Sequence, residues 1–244
     1  MPSPRNDGGT RQGFRAALSR LEGSQKPGDG EPAYLRWVNR PLGRRAAALA
    51  HTVGLTPDAV TWTSAAFSLA GFAVVAAAPP TFAAALGATL LLVIGYALDS
   101  ADGQLARLTG TGSHAGEWLD HVVDAARIPM LHLAIASSFF FRSHGGSLWL
   151  VAAALAFAVV SSVWFFGSIL ASHLGSASSR TAPGTAPAWV SFVKLPNDIG
   201  FLYLCLLTLP VLWLFAGLYL FLLLYTVMAA TVSLHRKHRA LRSL

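Results

Sequence analysis

Residues 59–98 read AVTWTSAAFSLAGFAVVAAAPPTFAAALGATLLLVIGYAL, a run without Asp, Glu, Lys or Arg. As one helix it would reach about 60 Å at ~1.5 Å per residue, twice the ~30 Å hydrocarbon core of a bilayer. The run must therefore turn, and Pro79-Pro80 marks the place. That gives membrane spans near 59–78 and 81–100. The whole chain agrees: 54% of its residues are hydrophobic and 12% charged, where soluble domains carry about a quarter.

Outward from this hairpin, further spans are expected. One near 117–141 carries Asp120, Asp124 and Arg127 in its first half and is apolar in its second. Residues 147–171 form a charge-free span, and a polar stretch follows over 172–197. Residues 199–234 again lack charge and exceed one crossing. A turn near Phe215-Ala216-Gly217 would divide them into two short spans. The expected fold is an all-α membrane protein with six transmembrane helices.

Before the first span, residues 1–31 are rich in Gly, Ser, Pro and charge and read as a disordered tail. Over 32–54, Tyr34, Leu35, Trp37, Val38 and Leu42 alternate with Arg36, Arg40, Arg44 and Arg45. This pattern predicts an amphipathic juxtamembrane helix on the bilayer surface, with a break at Asn39-Arg40-Pro41. The core is assigned to 55–235, and residues 236–244 are a basic tail. The first apolar run begins too late for a signal peptide. The single Cys205 permits no disulfide within the chain and no Cys-rich metal site.

Six spans put both termini on one side, with Arg107, Arg180 and Lys194 in the loops there. The opposite loops carry only Arg142. The positive-inside bias makes the basic side cytoplasmic. The formal charge of +7 suits anionic lipid or phosphorylated substrates, and no nucleic-acid partner is expected.

The chemistry is concentrated in residues 99–124, DSADGQLARLTGTGSHAGEWLDHVVD. Asp99 and Asp102 are three apart, and Asp120 and Asp124 four apart, so each pair shares a helix face. The connection at Gly110-Thr111-Gly112 lets the two helices run antiparallel and bring the pairs together at the membrane boundary. Carboxylates there are costly to insert. As clustered hard oxygen donors they suit divalent cations such as Mg²⁺ or Mn²⁺, and a two-metal site needs such bridging carboxylates.

The spacing D-x2-D-G-x2-A-R-x8-G-x3-D-x3-D, filled by Asp99, Asp102, Gly103, Ala106, Arg107, Gly116, Asp120 and Asp124, resembles the signature of the CDP-alcohol phosphotransferase family. The resemblance implies transfer of a substituted phosphate from a CDP-alcohol, such as CDP-diacylglycerol, to a hydroxyl acceptor, with release of CMP. It implies two divalent cations, with Asp99, Asp102, Asp120 and Asp124 as ligands and Asp124 also as general base. It implies CDP contacts from Asp102, Gly103, Ala106, Arg107 and Gly116, an active site facing the cytoplasm, and a homodimer. Leu55–Thr61 resembles a further family segment in which Thr61 contacts the nucleotide; Asp58 stands where the family usually has Asn.

Arg127 could hold an acceptor phosphate or pair with a carboxylate. Ala125 occupies a position where many relatives that use phosphorylated acceptors or make phosphatidyl products carry Arg. Residues 37–42 are similar to a stretch in relatives that use soluble CDP-alcohols such as CDP-inositol, so lipid and soluble substrates both stay open. The rival of another class is a cation transporter or channel. It explains intramembrane carboxylates but not Gly103, Ala106, Arg107 and Gly116 at their spacing.

Overall fold

In a computed structural model of the chain, residues 7–23, 28–142, 148–175 and 186–243 are described. Arg180 lies outside them. The described residues form helices and turns without a strand. In chain order the helices are α1 (Asp7–Gly23), α2 (Arg40–Thr52), α3 (Pro57–Ala77), α4 (Phe82–Thr109), α5 (His114–Arg142), α6 (Leu148–Gly175), α7 (Ala188–Val193), α8 (Ile199–Cys205) and α9 (Leu212–Arg242).

Five of these, α3, α4, α5, α6 and α9, are long and apolar enough to cross a membrane. Their outward faces are apolar too. On α4, Leu86, Leu90 and Ile94 form an exposed stripe at helical spacing. Exposed apolar surface on this scale points to an integral membrane protein.

The predicted hairpin is present. Thr56 caps α3, its hydroxyl accepting from the Ala59 N–H at 3.2 Å, with Pro57 at the first helical position. Thr81 caps α4 in the same way. The two helices meet along a seam of small residues. A Cβ on Gly71 would stand 2.6 Å from Leu92, and one on Gly95 would stand 2.7 Å from the Ser68 hydroxyl. Without a hydrophobic force between helices in lipid, such close approach supplies the packing. Gly110, in the left-handed region at φ 69°, ends α4 and starts the short turn into α5.

Ring contacts fix the register of the remaining helices. His121 lies near His173 and His132 stacks on Phe157, so α5 and α6 run antiparallel. Phe157 meets Tyr219, Gly167 packs against Leu234 and Gly175 approaches Leu241. Helices α6 and α9 are therefore parallel, and the chain must return between them. The return is a broken path. Tyr203 meets Tyr96 edge-on, the Thr89 hydroxyl donates to the Tyr203 carbonyl at 3.1 Å, and Leu209 borders a small cavity with Ala85 and Arg142 at the far end.

The turn expected at Phe215-Ala216-Gly217 is corrected by the structure. The break falls at Leu209-Pro210-Val211, where Pro210 has no N–H to continue the helix. Phe215 and Ala216 are buried inside α9, and Phe215 stacks on Phe139 and Tyr219.

The N-terminal region differs from expectation as well. Within the expected disordered tail of 1–31, Asp7–Gly23 is helical. Its Ala17 and Leu21 are buried against Ala47, Ala48, Ala101 and Leu105. Apolar positions four apart give α1 one face to bury, which the polar composition obscures. At Asn39-Arg40-Pro41 the helix is not interrupted. A π-turn over Leu35–Asn39 leads into α2, and Pro41 falls in the first turn, where no intrahelical N–H is required. Helix α2 lies on α4: a Cβ on Gly43 would stand 2.8 Å from Ser100. The preceding segment is fastened to α8 by Asp198, which accepts from the Leu35 N–H at 2.7 Å and the Gly200 N–H at 2.9 Å.

Candidate active site

Helix α4 presents Asp99 and Asp102 near its C-terminal end, and α5 presents Asp120 and Asp124 within its first three turns. The Gly110 turn folds one helix back on the other. Carboxylate oxygens of Asp99, Asp120 and Asp124 lie within 4.8 Å of one another. Asp102 stands outside this trio. It is buried, and its carboxylate accepts from the Thr61 hydroxyl at 2.6 Å.

Beside the carboxylates is a cavity of about 740 Å³ at the ends of α3, α4 and α5. Its lining includes Thr61, Asp102, Gly103, Ala106, Arg107 and Gly116, the six residues expected around a nucleotide. Asp120 and His121 close its inner side, and Asp58 and Glu117 also border it. Gly103 leaves the α4 surface low beneath Arg107, whose guanidinium would be 3.5 Å from a Cβ there. The volume sits inside the ~300–1,000 Å³ typical of ligand sites.

Arg127 is buried, with 3% of its side chain exposed. It pairs with Asp99 at 2.8 Å and Asp124 at 3.0 Å. Its other terminal nitrogen donates to the Ser64 hydroxyl at 2.9 Å, and Ser64 in turn donates to the Gly95 carbonyl at 2.8 Å. Of the two readings of Arg127, pairing with carboxylates is the one its geometry shows.

The donor set fits a divalent cation. It is all carboxylate oxygen, the ligand type of Mg²⁺ and Mn²⁺. Of the four acids Arg127 pairs only with Asp99 and Asp124, and among the described residues no ion pair reaches Asp102 or Asp120. That excess of negative charge, partly withdrawn from water, calls for a counter-cation.

His132 is a packing residue, its Nδ1 2.7 Å from the Tyr219 hydroxyl and its ring stacked on Phe157. Trp37, Trp62, Trp118, Trp149, Trp189 and Trp213 are exposed, as expected of interfacial anchors. Sequence reasoning passed over Ser64, Asn39 and Asp198. Ser64 lies one turn after Thr61, so its shared face was a usable signal. Asn39, read from the sequence only as part of a helix break and of the stretch 37–42, is fully buried and donates to the Tyr96 carbonyl at 3.2 Å. Asp198 follows Pro196-Asn197 before an apolar run, a readable helix cap.

A search of curated proteins returned no match for this chain. A family model described as CDP-alcohol phosphatidyltransferase matches residues 54–235, most of the chain and all of the site described above.

Proposed function

The chain belongs to the CDP-alcohol phosphatidyltransferase family, and from that premise we propose that it passes a substituted phosphate from a CDP-alcohol, CDP-diacylglycerol among the candidates, to a hydroxyl acceptor, releasing CMP. The observation that carries this reading is the 740 Å³ cavity, which gathers Thr61, Asp102, Gly103, Ala106, Arg107 and Gly116 beside the carboxylate trio.

In this reading the CDP moiety lies over the low surface at Gly103 and Ala106, and Arg107 offers its planar fork to phosphate. Thr61 holds Asp102 at the cavity wall. Two divalent cations held by Asp99, Asp102, Asp120 and Asp124 would neutralise the pyrophosphate and the developing charge on CMP. Asp124 takes the proton of the acceptor hydroxyl. The freed oxygen forms a bond to the β-phosphorus, the bond from that phosphorus to the bridging oxygen breaks, and its electron pair leaves with CMP. Arg127, pinned by Ser64, keeps Asp99 and Asp124 facing one another.

Six crossings are proposed, the fifth in chain order being the broken return through α8, which follows α7 and leads to α9. The helical stretch Ile199–Thr208 spans only about 15 Å at ~1.5 Å per residue. It crosses as part of a longer path that begins where Asp198 meets Leu35. Residues 55–235 are the catalytic core, preceded over 32–54 by an amphipathic segment at the membrane surface. The basic side, both termini and the site face the cytoplasm, and the working form is a homodimer.

The test is to supply the purified chain with several CDP-alcohols and Mg²⁺, measure CMP release and identify the product by mass spectrometry. CMP release that needs both a CDP-alcohol and a divalent cation is expected. Absence of CMP release from every donor, with the protein folded, would refute the reading.

A further inference from the structure

A second cavity, of about 270 Å³, lies between α5, α6, the segment from Pro196 to Leu202 that includes the start of α8, and Thr226 of α9, and it shares no lining residue with the nucleotide cavity. Along α5 the two are divided by Asp124. The nucleotide cavity reaches Asp120 and His121, and the second begins at Ile128, one turn beyond Asp124, and continues to His132. The antiparallel register places Ser168 of α6 at about the level of Asp124, and Phe157 level with His132.

The cavity borders α6 where that helix is less deeply packed, although it still meets α9 at Gly167 and α5 near His173. The buried residues of α6, Leu150, Ala154, Phe157 and Ala158, all lie in its N-terminal half. Beyond them, Ser161, Trp164, Phe165 and Ser168 share one face, border the cavity and stay partly exposed. Trp164 is the one tryptophan that is not a surface anchor; it sits mid-helix at the cavity wall. The space is graded. At the level of the acids, Ser168 accepts from the Lys237 ammonium at 2.5 Å. Further along, near the level of Ser161, Thr226 donates to Asn197. Phe157, Ile199 and Leu202 make the rest of the wall largely apolar, with His132 and the Asp198 carboxylate, held by the Leu35 and Gly200 N–H groups, also bordering it.

We propose that this cavity holds the apolar chain of the hydroxyl acceptor, which makes that acceptor a hydroxyl-bearing lipid. The proposal rests on the assignment of Asp124 as the base. A chain lying along α6 with its polar end at Ser168 brings its hydroxyl beside Asp124, from the side opposite the nucleotide. At about 270 Å³, just below the usual range for whole ligands, the cavity takes a segment of chain and leaves the rest in the bilayer.

The probe is a long-chain alcohol carrying a mid-chain diazirine, photolysed with the full-length protein in detergent and mapped by mass spectrometry. Label is expected on the peptide containing Trp164 and Phe165. Excess dioctanoylglycerol should remove it, and excess CDP-diacylglycerol should not. Ser161→Leu, which adds bulk inside the cavity, should lower labelling about tenfold or more, while calorimetric CMP binding reports that the fold is intact. Wild-type labelling decides the matter if that variant does not fold. Label spread evenly over the outward faces bearing Trp62, Leu90 and Phe221 would show annular lipid only and overturn the proposal. Displacement by CDP-diacylglycerol alone would assign the cavity to the donor and also overturn it. Labelling needs no turnover: CMP release without this label refutes the lipid acceptor, and this label without CMP release refutes the transferase reading.

Discussion

Replacing Arg127 by Met tests how the site balances its charge. The guanidinium is almost wholly buried between Asp99 and Asp124, whose side chains are 14% and 27% exposed. Removing one partner of a fully buried ion pair costs about 3–5 kcal/mol, because the other charge is left uncompensated. Partial exposure of both acids lets water screen them, so the lower end, about 3 kcal/mol, applies here. The loss should appear in EDTA as a lower melting temperature in detergent. A divalent cation binding the folded state then stabilises by mass action. The variant carries one more uncompensated negative charge, so Mg²⁺ should raise its melting temperature more than that of the parent. Ser64→Ala removes the hydrogen bond to the charged group and the one donated to the Gly95 carbonyl but leaves both ion pairs in place, and it should cost less, about 1.5–3 kcal/mol. The measurement is a thermal unfolding series across Mg²⁺ concentrations for the three proteins. Equal stability in EDTA and an equal Mg²⁺ response for Arg127→Met would refute the counter-cation reasoning.

Asp124→Asn should lower turnover by ~10²–10⁴-fold, the usual contribution of a general base, while calorimetry still detects metal-dependent CDP-alcohol binding; near-normal turnover would remove Asp124 as base. Arg107→Ala should weaken donor binding by about 1.5–3 kcal/mol, and unchanged affinity would take Arg107 out of the nucleotide site. Gly43→Val would force a Cβ to within 2.8 Å of Ser100 and 3.0 Å of Gln104, costing about 1–3 kcal/mol by overpacking. It should also depress activity by shifting the motif helix, and a melting curve like the parent's would contradict that. For topology, a cysteine at Ser243 in a Cys205→Ala background should resist an impermeant reagent in intact cells. Its ready labelling would be incompatible with six crossings and a cytoplasmic C-terminus.

Local information determined what could be read without a structure. The charge-free run over 59–98 and its Pro-Pro break fixed the α3–α4 hairpin, because hydrocarbon thickness limits helix length irrespective of neighbours. Spacings of three and four placed the acids on shared faces, and the Gly110 turn brought those faces together. Caps at Thr56 and Thr81 involve residues three apart and were equally accessible. What stayed hidden depended on partners distant in sequence. Arg127 had two chemically equal roles until Ser64 and Asp99 were seen around it. The boundary between the fifth and sixth crossings was misplaced at 215–217 because a uniformly apolar stretch gives little hint of which residues are buried, and Phe215 is committed to α9 by Phe139 and Tyr219. Helix α1 forms inside a polar segment because Ala17 and Leu21 find α2 and α4. The second cavity has no signature in the chain at all: it arises where Ser161, Trp164, Phe165 and Ser168 of α6 face α5, the segment from Pro196 to Leu202 and Thr226 of α9, and only the packing of these elements decides that space.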